Sequence, residues 1–429
     1  MDDSTFPAVL ADLCRELQDL LGWVSQTPEL DLGTAETETL ARLRTIDARL
    51  LETGFAARAT AERGGRQICG CGTRMHLDGH RAKGVQTLLG WITVCRATYH
   101  CPACGARTTP WDTRLGLGRD SHSPGVRRLA SRCGALLPFA QAAATLRETA
   151  GIHLSPSTVR TVTEAVGAVR EATIQGDIVT AWAQGWEDGS ASPPARCYVA
   201  LDGVRILGTD GEGREVKLGR VVPVHQTAQG ERRGPSRYAV GLEPAAAFGR
   251  RLAVVAHTVQ AEGASQLAVL GDGAAWIWNL ADEHFPRAVQ IVDWYHASER
   301  IWDLGRALHG AETPETTAWV ARQLDRLALG DAAALATEWA QLPLRGEVAS
   351  IRDAQVTYFT NQAPRMAYDR YRADGWDIGS GMIESGCKTV IGQRQKGSGM
   401  RWTDAGAQTV ANVRLLLFNA EWDDYWAAA

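Results

Sequence analysis

Three short apolar runs, each broken off by an aspartate, constrain this chain more than any other feature. Cys197-Tyr198-Val199-Ala200-Leu201 leads into Asp202-Gly203. Residues 266–270 lead into Gly271-Asp272-Gly273, and residues 288–292 lead into Asp293-Trp294-Tyr295-His296. Continuous apolar runs of this length read as buried strands. A carboxylate at a strand tip sits on a rigid element with its oxygens exposed, which suits a hard divalent cation. A single Asp-Gly is explained equally well by a turn. The repetition is what points to a site. Further strands are expected at 204–207, 216–224 and 238–242, with Asp210-Gly211-Glu212-Gly213 as a turn and a helix at 274–284. The class is α/β.

Cysteine spacing defines a second unit. Cys69-Gly70-Cys71 and Cys101-Pro102-Ala103-Cys104 bracket a hairpin-sized span containing Leu88, Trp91, Ile92, Val94 and Tyr99. Two close pairs separated in this way assemble a tetrahedral zinc site, and one structural Zn2+ on Cys69, Cys71, Cys101 and Cys104 is expected. Incidental cysteines in a glycine-rich loop are the alternative. His76, His80 and His100 stand near enough in sequence to replace or supplement a thiolate.

Around this unit the periodicity is helical. Leu10, Leu13, Leu17, Leu20 and Leu21, then Leu40, Leu43, Ile46 and Leu50, mark two amphipathic helices suited to pairing subunits. Helices at 124–137 and 139–150, the break at Gly151 and the start Ser155-Pro156-Ser157-Thr158 have the form of a helix-turn-helix. Ser157, Thr158, Arg160 and Thr161 would then face a major groove. A helical hairpin that only packs fits the same pattern. A Gly/Ser/Pro-rich stretch at 185–194 reads as a linker.

Residues 297–370 are rich in alanine and leucine and read as a helical insertion. After it comes Gly379-Ser380-Gly381-Met382-Ile383-Glu384-Ser385-Gly386-Cys387-Lys388, with Glu384 in the first turn of a helix reaching Gln395. Between 384 and 401, Lys388, Arg394, Lys396 and Arg401 stand against Glu384 alone. That balance suits a groove holding a phosphodiester beside metal ligands, although a solvated basic helix would look alike. Trp402 is expected to open a closing helix.

Taken together, these motifs resemble bacterial insertion-sequence transposases of the DDE class. The resemblance rests on Leu-Asp-Gly at 201–203, Gly-Asp-Gly-Ala-x-Trp-Ile at 271–277, Asp-Trp-Tyr-His at 293–296, Gly-Ser-Gly-x-Ile-Glu-Ser at 379–385 and Gly-Met-Arg-Trp at 399–402, over residues 60–425. It implies an RNase H-like catalytic domain interrupted by the helical insertion. It places the family's two aspartates and glutamate on Asp202, Asp272 and Glu384, which would bind two Mg2+ (or Mn2+) ions, with Asp293 and His296 beside them. The implied partner is double-stranded DNA, at the element's ends and at the target. Lys388, Arg394, Lys396, Arg401 and Trp402 would contact it together with Ser157, Thr158 and Arg160. Joining two ends needs two active sites, so a homodimer on DNA is expected. The narrow Cys69-x-Cys71 pair departs from the commoner spacing. A nuclease on the same fold that never joins DNA, and a non-catalytic zinc and helix-turn-helix regulator, are the competing readings. A carbohydrate-active enzyme is a weaker one, opposed by the basic stretch around Glu384.

The expected boundaries are 1–60 helical, 61–115 zinc-ribbon-like, 116–190 helix-turn-helix-like, 195–296 catalytic, 297–370 insertion and 371–429 the remaining catalytic part. Net charge is −4, with 11 acidic and 5 basic residues in 1–60, so charge neither demands nor excludes nucleic acid. Apolar runs such as 415–418 are too short to cross a bilayer, and the acidic start Met1-Asp2-Asp3-Ser4 has no signal-peptide character. A cytoplasmic, prokaryotic protein with no membrane partner is expected.

Overall fold

A computed structural model of the chain describes residues 5–61, 67–186, 192–379 and 381–428. It contains two compact units, residues 1–163 with 426–429, and residues 164–425.

The first unit begins with helices α1 (Thr5–Gln26) and α2 (Leu32–Ala61). Leu13, Leu20, Ile46 and Ala48 are buried, whereas Leu10, Leu17, Leu21 and Val24 of α1 are each more than two-fifths exposed. A three-stranded antiparallel sheet follows: β1 (His76–Thr87), β2 (Gly90–His100) and β3 (Arg107–Thr108). The Thr87 hydroxyl closes the hairpin, donating to the Gly90 carbonyl at 2.8 Å and accepting from the Leu89 N–H at 3.1 Å. Val85, Ile92 and Val94 pack with Ala48 and with Trp111 of α3 (Pro110–Arg114).

Helices α4 (Pro124–Leu136), α5 (Phe139–Ala150) and α6 (Pro156–Gln184) complete this unit, and α6 continues into the second. Ser123 caps α4 by accepting from the Val126 N–H. Gly151 ends α5 in the left-handed region (φ 61°). Ser155 caps α6 by accepting from the Thr158 N–H at 3.0 Å. Val126, Ala130, Ala142, Leu146, Ile152, Val159 and Val162 form one apolar core among the three helices.

The second unit is built on a six-stranded mixed sheet: β4 (Arg196–Leu207), β5 (Gly213–Thr227), β6 (Gly230–Arg233), β7 (Arg237–Gly241), β8 (Gln266–Gly271) and β9 (Val289–Val292). Its order is β6-β5-β4-β8-β9, with β7 also paired to β5. The β4-β5, β5-β6 and β5-β7 pairs are antiparallel, and β4-β8 and β8-β9 are parallel. The unbroken burial of residues 196–201 follows from the central position of β4, covered on both faces. Helices α7 (Ala245–His257) and α8 (Ala275–His284) make the crossovers that parallel strands require. Contrary to the expectation of a strand ending at Asp202, β4 runs through it to Leu207, because β5 pairs along its whole length.

Beyond β9 the chain is helical: α9 (Trp294–His309), α10 (Pro314–Ala328), α11 (Ala332–Ala340), α12 (Gly346–Gln362) and α13 (Tyr368–Ala373). The rings of Trp319, Trp339 and Phe359, the first pair tilted and the second edge-on, join α10, α11 and α12. Then come α14 (Gly381–Gly386), a π-helical segment Cys387–Gly392, α15 (Gln393–Gln395), α16 (Asp404–Phe418) and α17 (Trp422–Ala428). The closing helix starts at Asp404 with Thr403 as its cap, so Trp402 precedes it, held in a bridge to Gly208. Among the described residues no helix is long and apolar enough to cross a membrane.

Candidate active site and metal centre

The sheet register aligns the three aspartates. Ala200 of β4 lies opposite Leu270 of β8, and Leu270 lies opposite Ile291 of β9. Two residues further along the chain stand Asp202, still within β4, and Asp272 and Asp293, each the first residue past the end of its strand. All three therefore gather at the same edge of the sheet, where neighbouring strands are about 4.8 Å apart. Their charges act on one another: burial raises the Asp202 carboxyl above its ordinary value, and the negative charge of Asp272 adds to that rise.

Asp293 is 1% exposed and serves as the N-cap of α9. Its Oδ2 accepts the backbone N–H of His296 at 3.0 Å and pairs with the ring Nδ1 at 2.7 Å. This bond is the main cause that holds His296 up at about 9 against burial, and the charges of Asp293, Asp272 and Asp202 contribute. The ring Nδ1 is thus committed to Asp293, and the imidazole holds its proton further into the alkaline range than a free histidine does. The other Asp293 oxygen, Oδ1, is buried with no hydrogen-bond partner.

The Asp272 turn is latched from the helical segment. Tyr358 of α12 donates its hydroxyl to the Asp272 carbonyl at 2.7 Å, and Gln362 donates to the Gly273 carbonyl at 2.9 Å. Gly273 has φ 101°, and a Cβ there would stand 2.7 Å from the Tyr358 ring. Glycine is the residue this turn accommodates. Asp272 Oδ1 in turn accepts from the Ala274 N–H at 2.9 Å, at the start of α8.

Glu384 lies on α14, which packs against β4 and β5. Arg220 of β5 anchors that helix, donating to the Met382 carbonyl and to the Ser385 hydroxyl. One turn beyond Glu384, Cys387 is buried with its Sγ 3.1 Å from Asp202 Oδ2. Burial, then the Asp202 and Glu384 charges, push this thiol far up, so it is the donor in that contact. The π-helical segment starts here, and Arg414 of α16 donates to the Thr389 and Val390 carbonyls within it. π-Helical turns are frequent at functional sites. Cys387, Tyr358 and Arg220 are site residues beyond those the sequence pattern marks. Only Cys387, one helical turn after Glu384, had a sequence signal.

The donor set offered by Asp202, Asp272 and Glu384 is all oxygen, the type Mg2+ takes. Orphaned Asp293 Oδ1 and the raised Asp202 carboxyl are both features that a cation would relieve. The three carboxylates do not, however, converge as tightly as the cysteines do. Among the described residues, Cys69, Cys71, Cys101 and Cys104 form the only group of ligand-type side chains whose atoms all lie within 4.8 Å of one another.

In that group Cys69 Sγ lies 3.5 Å from Cys104 Sγ, and Cys71 Sγ lies 3.6 Å from Cys101 Sγ. Zn–S bonds of about 2.3 Å in a tetrahedron put sulfurs roughly 3.8 Å apart. The residues fit such an ion. Each pair sits on a tight turn, closed by Gly72 N–H to the Cys69 carbonyl and by Gly105 N–H to the Cys101 carbonyl. Thr73 hydrogen bonds draw the Cys71 thiol down to about 6. Cys104 is lowered by the Ala106 N–H, but its sulfur neighbours together raise it to about 12, because packed thiols cannot all ionise without a cation. His76 and His100 instead meet edge-on, ring centres 5.7 Å apart, and among the described residues no histidine joins the cluster.

The expected DNA-contact residues divide. Ser157, Arg160, Lys388, Lys396 and Arg401 are exposed and Thr158 is half-buried. Arg394 and Trp402 are not on an open face. Arg394 is 1% exposed with its guanidinium 4.9 Å from the Trp402 ring centre, and Trp402 donates to the Gln395 carbonyl at 3.0 Å. Burial lowers Arg394 to about 10. Both are core residues, a correction to the expectation. Ser380, inside the motif around Glu384, lies outside the described residues.

No protein-family model matches the chain, and no curated protein matches it.

Proposed function

We propose that the protein is a DDE-type DNA transposase, with an RNase H-like catalytic domain in the second unit and DNA-binding and zinc regions in the first. The reaction is metal-dependent strand cleavage at element ends, followed by transfer of the freed 3′ hydroxyl into target DNA. The observation that carries this reading is the gathering of Asp202, Asp272 and Asp293 at one edge of the sheet, with His296 bonded to Asp293 and within reach of all three charges.

Two Mg2+ or Mn2+ ions held by Asp202, Asp272 and Glu384 would activate the attacking oxygen and stabilise the leaving one. The chain's own groups do the positioning. Cys387 orients the Asp202 carboxylate, Tyr358 and Gln362 hold the Asp272 turn, and Arg220 fixes the helix bearing Glu384. His296 Nε2–H donates to a phosphate oxygen or to the departing alkoxide. The exposed apolar stripe of α1 is the surface offered to a second copy of the chain, because two ends must be processed together. Lys388, Lys396 and Arg401 contact the DNA backbone.

The test uses DNA from both flanks of the gene encoding this chain, with 3′ ends either intact or pre-cleaved, in Mg2+. Nicked and joined products are expected from the native chain and neither from Asp202→Asn, which still folds and binds. Cutting without any joined product would reduce the protein to a nuclease. Unchanged activity in Asp202→Asn would remove the enzyme reading.

A further inference from the structure

We infer that Arg300 is a further substrate-contacting residue, holding a phosphate of the DNA strand that lies over Asp272 and His296. This rests on the reading of that site as a phosphoryl-transfer centre. Arg300 and His296 are four residues apart on α9 and so share a helix face. The Arg300 side chain is exposed, and its guanidinium carbon lies 4.7 Å from the centre of the Tyr358 ring. Tyr358 is the residue whose hydroxyl holds the Asp272 carbonyl. Arg300 is thus tied through a single side chain to the turn bearing one of the carboxylates.

Beyond the Tyr358 ring, its charge meets no carboxylate among the described residues. Glu299 and Asp303 are near in sequence, yet among the described residues no carboxylate pairs with Arg300, whereas Arg306 on the same helix pairs with Asp303 at 3.4 Å. Stacking on an aromatic face fixes the guanidinium plane and leaves its N–H edge free, the form in which arginine grips a phosphate with two parallel bonds. Three carboxylates at one edge of the sheet would repel a polyanion, and a cation beside them with no carboxylate partner offsets that repulsion.

The experiment measures binding of a labelled 30-base-pair duplex of mixed sequence to Asp202→Asn as a function of salt. Arg300→Ala added to this background should make the negative slope of log K against log salt shallower by about 0.9, the signature of one lost phosphate contact. Arg300→Lys should restore the slope, with thermal unfolding unchanged in all three proteins. Equal slopes for Arg300→Ala and its parent would overturn the inference. Cleavage by the native chain is followed in parallel. If it does not cut, the phosphoryl-transfer reading falls by itself, while the slope still reports whether Arg300 touches phosphate.

Discussion

Asp293 and His296 are joined twice, since one carboxylate oxygen takes both the backbone N–H and the ring Nδ1 of the histidine. The same bond that starts α9 thereby sets the protonation of the imidazole. Replacing Asp293 with Asn keeps a helix cap but removes the charge. His296 should then titrate well below about 9, back toward its ordinary 6.5, in a histidine NMR titration. Cleavage by Asp293→Asn should fall more steeply at pH 8 than at pH 6, because the proton is lost between those values. A His296 titration unmoved by the substitution would break the link.

The Asp272 turn depends on a residue 86 positions away. Gly273→Ala forces a Cβ against Tyr358 at a left-handed φ and should cost about 1–3 kcal/mol in denaturant unfolding. Tyr358→Phe removes only the hydroxyl bond and should cost about 1 kcal/mol. Both should reduce catalysis more than DNA affinity. Weaker DNA binding with an unchanged turnover would show that the turn does not place Asp272.

Zinc content offers a direct check on the four cysteines. One zinc per chain is expected by elemental analysis, and Cys101→Ser, at a position 1% exposed, should lose it. Chelation should expose the thiols and unfold the β1-β2-β3 hairpin, measured as lost hydrogen-exchange protection of that segment. Full protection after complete metal removal would mean that the sheet stands without an ion.

Leu17 and Leu21 are 44% and 69% exposed on one stripe of α1. If that stripe pairs subunits, Leu17→Glu with Leu21→Glu should halve the mass seen by light scattering and leave helicity intact. A native chain that is monomeric both free and on DNA would remove this role.

Acid should loosen the second unit through Glu171. Burial raises its carboxyl, but Arg251, Gln175 and Asn412 outweigh that and hold it down at about 2. A depressed folded value means stability that is complete above about 4.5 and is lost as pH falls toward 2. Glu171→Gln should flatten the pH dependence of unfolding in this window; an unaltered profile would show that the pair with buried Arg251 adds nothing.

What could be read from residues alone was local. Apolar runs halted by aspartate, cysteine pairs, the Ser155-Pro156 helix start and the Gly151 stop are each decided within a few residues by backbone propensity and by which side chains must leave water. β8, β9, α4, α5 and the four-cysteine cluster therefore lie where the pattern placed them. The fate of a basic or aromatic side chain is not local. Arg394 and Trp402 carry the same letters as surface contacts, and only packing against each other and Met400 made them core. Likewise the gathering of the three aspartates at one sheet edge, the Cys387 contact with Asp202 and the Tyr358 latch arise from strand register and from a helical segment folding back over the sheet. Those are choices among distant partners, and no window of neighbouring residues contains them.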